Sequence, residues 1–298
     1  MPPARTLLAA TDFSAPARHA LERAAQLAQM HPDAQLTLAH VVSASALDKL
    51  RRLLPGDVGV LEAELLAQAE KNLTELATSL ASRYDGHIDT ELIQGSALVA
   101  LAELADARQT DLLVMGARGA HFVRELLLGS TTERLLRRSR RPLLAVKQRP
   151  HAPYRRILAP VDFSAHAAVA VDTAHSWLPD ADIVLLHAFE VELESTFRFA
   201  GIADERIHEY RIHARDAAMA EMDAFVATLK VPSDRLARQF VHGPPTLRIV
   251  EHEQTMDADL IVMGKHGQSV MEELLLGSVT KHILAHSSSD VLVVGNPV

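Results

Sequence analysis

Asp111-Leu-Leu-Val-Met-Gly116-Ala-Arg-Gly119 recurs in the second half of this 298-residue chain as Asp259-Leu-Ile-Val-Met-Gly264-Lys-His-Gly267. In both copies a short apolar run, too brief for a helix, ends at a Gly-x-x-Gly pair, which reads as a buried strand feeding a tight loop. After nine further residues stand Gly129-Ser130 and Gly277-Ser278, and from Met115 to Thr131 the copies agree at nine of 17 positions without a gap. Upstream, Arg5-Thr-Leu-Leu-Ala-Ala-Thr-Asp12-Phe-Ser14-Ala15 matches Arg155-Arg-Ile-Leu-Ala-Pro-Val-Asp162-Phe-Ser164-Ala165. A repeat of half the chain is far too long for a solenoid, so each copy is expected to be a complete domain. The expected domains are 1–148 and 154–298. Gln148-Arg-Pro-His-Ala-Pro153 lies between them as a stiff, extended linker.

Working outward from the glycine loop, each half alternates strands and helices. In the first half, strands are expected at 6–11, 35–42, 87–93, 112–115 and 143–146, and helices at 14–30, 61–81, 96–107 and 130–138. The second half repeats the order: strands at 157–161, 183–189, 238–241, 260–263 and 291–294, and helices at 165–177, 206–229, 247–254 and 278–285. Ser14 is a candidate N-cap, with Pro16 in the first turn. Apolar strands alternating with helices imply an α/β fold, a parallel sheet covered on both faces.

Composition narrows the function classes. Hydrophobic residues are 48% and charged residues 23%, an ordinary globular balance that argues against disorder. Aromatics are only 4%, so Leu, Ala and Val must fill the core. Without cysteine there is no disulfide, thiolate metal site or cysteine nucleophile, which fits a reducing compartment. No apolar run is long enough to span a membrane, and the start lacks a signal-peptide layout, so a cytoplasmic protein is expected. The net charge of −8 disfavours nucleic acid as a partner, but it is uneven. The first 150 residues hold 18 Lys/Arg against 17 Asp/Glu, the remainder 12 against 21, and histidine divides five to eleven.

Chemistry is expected where strands end, because ligands of open α/β sheets bind beyond the carboxyl ends of the strands. Asp12 and Gly116-x-x-Gly119 lie at two such ends. Glycines let the backbone approach a ligand closely, and Gly129-Ser130 opens a helix whose N–H groups suit an anion. Ser130-Thr-Thr-Glu133 has the form of a capping box, which Lys281 removes from the second copy. Together these describe a phosphate cradle, although neither the P-loop nor the dinucleotide fingerprint is present.

Gly-2x-Gly-9x-Gly-Ser, with Asp-Phe-Ser after the first strand, resembles the universal stress protein family in its tandem form, over essentially all of both halves. The resemblance implies two doubly wound domains, each a five-stranded parallel sheet of order 3-2-1-4-5, and ATP as ligand, with or without Mg. It implies that Asp12 and Val41 meet the base, while Met115, Gly116, Gly119, Gly129, Ser130 and Thr131 hold ribose and phosphates. In the second half the matching positions are Asp162, Ala188, Met263, Gly264, Gly267, Gly277, Ser278 and Val279. Val279 lacks the hydroxyl of Thr131, while Lys265 and His266 are candidate sources of charge. The resemblance also implies that the last strands pair the halves as an internal pseudo-dimer, with a further homodimer open.

Other signals read more plainly. Arg137-Arg-Ser-Arg-Arg141 is expected to complement a helix end rather than bind nucleic acid. His208 and His213 are five apart and off-face; His282 and His286 share a helix face but lack a third ligand, so no metal site is expected. His40 and His187 recur at strand ends and fit either a cleft wall or a hydrogen-bonded core position. No nucleophile–base pair emerges, so no enzyme is expected. Three readings stand: a nucleotide-responsive stress-response regulator first, then a nucleotide-independent scaffold, or a slow ATP-hydrolysing enzyme.

Overall fold

The computed structural model describes residues 6–53, 58–84, 87–119, 129–191, 194–267 and 276–295. The first half runs β1 (Thr6–Thr11), α1 (Ala15–Gln29), β2 (Gln35–Ser43), α2 (Ala44–Leu53), α3 (Val58–Tyr84), β3 (Ile88–Gly95), α4 (Ala97–Ala107), β4 (Leu112–Gly116), α5 (Ser130–Arg138) and β5 (Leu143–Val146). The second runs β6 (Arg156–Pro160), α6 (Ala165–Trp177), β7 (Asp182–Phe189), α7 (Glu194–Phe199), α8 (Asp204–Val226), β8 (Leu236–His242), α9 (Pro245–Thr255), β9 (Leu260–Gly264), α10 (Ser278–His286) and β10 (Asp290–Val294).

These elements form two compact units, and the last strand belongs with the first of them. The first unit holds the strand order β3-β2-β1-β4-β5, all parallel, with β10 added antiparallel beside β5. In that ladder Val291, Leu292 and Val293 face Ala145, Leu144 and Leu143. The second unit, residues 154–289, holds β8-β7-β6-β9, again parallel. The 3-2-1-4 winding is thus common to both.

Packing follows the composition. β4 and β9 are buried along their whole length, as apolar runs in a doubly covered sheet must be. Leu7, Leu8, Leu38, Leu113 and Ala24 form part of the first core, and Ile157, Leu185, Ile261, Ala174 and Trp177 part of the second. Each fully buried Leu or Ile contributes about 1.5–3 kcal/mol. Among the described elements, α2 and α7 had no counterpart in the sequence reading. α2 buries only Leu47 among its described side chains, so its apolar periodicity is too thin to register.

A buried polar network fixes β10. Asp290, 1% exposed, accepts the Lys147 and Gln148 N–H groups at 2.7 and 3.1 Å. Arg23 Nε lies 3.6 Å from its other oxygen, and Arg23 Nη1 donates to the Ala152 carbonyl at 2.8 Å. The linker is therefore tied down at both sides. Pro142 occupies the position of Asp290 in the first copy, so this network has no repeat.

Candidate functional site

Both Asp-Phe-Ser segments make the same sharp turn. Phe13 and Phe163 have φ of 64° and 63°, a left-handed conformation that an aromatic residue adopts only where surrounding structure enforces it. Here a histidine does so. His40 Nδ1–H donates to the Thr11 carbonyl at 2.8 Å, and its ring lies 4.2 Å from that of Phe13. His187 does the same to the Val161 carbonyl at 2.9 Å, with Phe163 at 4.3 Å. Both histidines thus support the turn, and His187 also lines the second cleft.

The turn aims Asp12 and Asp162 at the glycine loop. Asp12 Oδ1 accepts the Ser14 N–H at 3.0 Å; Asp162 Oδ1 accepts both the N–H and the hydroxyl of Ser164, at 3.1 and 2.6 Å. Ser14 and Ser164 in turn cap α1 and α6, as expected of Ser14. A Cβ at Gly119 would stand 2.8 Å from Asp12 Oδ2, and one at Gly267 2.6 Å from Asp162 Oδ2. No real Cβ tolerates such an approach. Any larger residue here would have to push the carboxylate out of the space it occupies.

The helix start closes the cradle. Gly129 N–H donates to the Ala117 carbonyl at 2.7 Å and Gly277 N–H to that of Lys265 at 3.0 Å. Thr132 and Thr280, both buried, donate to the carbonyls of Gly116 and Gly264 at 3.0 Å, joining helix to strand end. The expected capping box is not formed. Gly129 is the N-cap of α5 and Ser130 already lies inside the helix, so its hydroxyl makes no capping bond. Glu133 instead pairs with Arg137 at 2.8 Å, one turn on.

A cleft of about 270 Å³ opens between these parts in the first half. Asp12, Val41, Met115, Gly116, Gly119, Gly129, Ser130 and Thr131 all line it, together with Arg118, Thr132, Ala97 and Leu101. A second cleft of about 370 Å³ is lined by Asp162, Ala188, Met263, Gly264, Gly267, Gly277, Ser278 and Val279, joined by His187, His266, Pro245 and Ile249. All sixteen positions carried over from the resemblance come together, eight in each cleft. Lys265 does not line the second cleft; it is buried, 5% exposed, which corrects its expected role as a charge donor there. Sequence reasoning passed over Thr132 and Thr280, although their identity at one aligned position was a signal. The loop tips, 120–128 and 268–275, lie outside the described residues.

The remaining signals resolve locally. Arg137 and Arg138 fall in the last turn of α5, and Arg141 pairs with Asp106 at 3.4 Å. His282 and His286 stack at 4.0 Å, and burial, then the neighbouring His286, pushes the His282 imidazole below its ordinary value. No group of three metal-ligating side chains occurs among the described residues, and no described helix is long and apolar enough to cross a membrane.

A winding of 3-2-1-4, with a glycine cradle and an acidic turn at the strand ends, defines a class of α/β proteins built to hold a ligand over the sheet's carboxyl edge. The sequence model of the universal stress protein family matches residues 3–147 and again 153–295. The chain belongs to that family, in its tandem form. A universal stress protein of Mycolicibacterium smegmatis is 26% identical over 97% of this chain and 96% of its own. Universal stress protein MJ0577 of Methanocaldococcus jannaschii is 30% identical over 47% of this chain and 94% of its own length. The crystal structure of a universal stress protein from Archaeoglobus fulgidus shares the fold, with a TM-score of 0.67, 21% identity and 98% of both chains covered.

Proposed function

We propose that the strand-end clefts bind adenine nucleotide, ATP foremost, and that the protein is a ligand-responsive regulator rather than a rapid consumer of ATP. One observation carries the reading. In each half, eight residues from separate segments converge on one cleft, with a glycine kept bare against an aspartate. The donor set suits the ligand. Val41, Met115 and Leu101 offer apolar walls to a base, Asp12 an acceptor, and Arg118, Ser130, Thr131 and the start of α5 a polar end for phosphates. Magnesium, where present, would be held by the phosphates and water.

Asp12 and Asp162 each commit one oxygen to their own turn, which suits holding a ligand better than general-base work. A cytoplasmic location, pairing of the halves through the last strands and a further homodimer belong to the same reading. Extraction of the purified protein followed by mass spectrometry should recover an adenine nucleotide. Its absence, together with no binding on titration, would overturn the proposal.

A further inference from the structure

Three arginines of the first half align with histidines in the second. Arg118 on the glycine loop becomes His266, and on the helix that follows, Arg134 and Arg138 become His282 and His286. A guanidinium stays charged at every physiological pH, whereas an imidazole does not. The first replacement falls inside the cleft. Arg118 is exposed at the rim of the first cleft, and His266, only 7% exposed, lines the second.

We propose that the second cleft binds its anionic ligand in a pH-dependent manner through His266, whereas the first, with Arg118 at that position, does not share this dependence. The inference rests on the nucleotide reading and adds regulation to it. Protonated His266 attracts the phosphates and neutral His266 does not, so affinity falls as pH rises and the imidazole loses its proton.

The charges around His266 are mixed. Asp162, beside Gly267, favours its protonated form. His166 on α6, whose ring lies edge-on at 6.0 Å, opposes it, as does the adjacent Lys265. A bound anion adds negative charge beside His266 and so favours its protonated form. Protonation and ligand binding are thereby linked, each promoting the other. His187 does not distinguish the clefts, because His40 makes the same turn-supporting bond in the first.

The test uses the full-length chain with one cleft blocked at a time: Gly119→Val leaves the second cleft to be measured, Gly267→Val the first. ATP is titrated calorimetrically between about pH 5.5 and pH 8. The nucleotide's own phosphate titrates in both backgrounds alike, so the readout is the difference between them. The second cleft should weaken by about tenfold relative to the first, the size of one charge-assisted hydrogen bond. Arg118→His in the Gly267→Val background should transfer the dependence to the first cleft. His266→Gln in the Gly119→Val background should abolish it; Arg118 is exposed, so its replacement keeps the test open if the buried site does not accept glutamine. Parallel pH profiles for both clefts, or an Arg118→His profile unchanged from that of its parent, would overturn the inference while leaving nucleotide binding intact. Failure of ATP to bind either singly blocked chain or the unmodified chain at any pH would overturn both.

Discussion

The two clefts share a scaffold and differ in what they present. Both have the same strained aromatic turn, the same histidine beneath it, the same bare glycine against an aspartate, and the same threonine joining helix to strand. The first then offers Arg118 and Thr131, the second His266 and Val279, and the second is the roomier, about 370 against 270 Å³. Residues that hold the backbone in place recur, as do six of the eight matched cleft positions, while Val41, Thr131 and Arg118 are exchanged for Ala188, Val279 and His266. The shape of the site and its ligand preference are therefore separable, and substitutions should divide along the same line.

The largest effect is expected from filling the bare space. Gly119→Val should displace the Asp12 carboxylate and weaken ATP at the first cleft by at least about a hundredfold, close to 3 kcal/mol, while the second cleft keeps its affinity. Calorimetric stoichiometry reads this directly, and a chain that still bound in both clefts would break the assignment. Asp290→Ala tests a part without a repeat. Leaving Arg23 buried without this carboxylate should cost about 3–5 kcal/mol in urea unfolding, whereas a truncation at exposed Asp257, paired with Arg156, should cost less than about 1 kcal/mol.

Thr132→Val and Thr280→Val should each lose about 1–3 kcal/mol of stability, and by similar amounts, because each leaves the same kind of buried glycine carbonyl without its donor. A large disparity would show that the copies are less alike than they look. Val279→Thr, restoring the hydroxyl of the first cleft, should tighten ATP in the second by up to about tenfold.

The smallest effect concerns pH. His282 is held below the ordinary value of 6.5, so its neutral form is the one favoured by the fold. Protonation then favours the unfolded chain, and the stability present above that value is lost as pH falls through the depressed folded value. Thermal melts below neutrality should show a slightly shallower acid slope in His282→Gln than in the parent. The residue is only partly buried, so the difference will be small.

Much of this was legible because the repeat gave each signal twice. β4, β9, α1 and α6 announce themselves through buried runs and capped helical stripes, where burial and periodicity coincide. The helix α2 does not, since it rests on one buried leucine among its described side chains, and α7 is too short to show a period. The capping box failed for a different reason. Its letters were right, but the Gly129 N–H bond to the Ala117 carbonyl places the helix start one residue earlier, so Ser130 falls past the capping position. Local pattern has no access to that long-range bond. The phenylalanine turns were likewise invisible, because nothing about Phe favours positive φ until His40 or His187 is stacked against it.

The placement of β10 bears on how the chain is made. Synthesis delivers the first five strands early, yet the strand that lines the far side of β5, and the aspartate that receives Arg23 and the linker amides, come only after the whole of the second unit, residues 154–289, has been made. The first sheet must wait with an open edge until residues 290–294 have emerged. A ribosome that stalls in the second half would thus release a chain whose damage lies in the first.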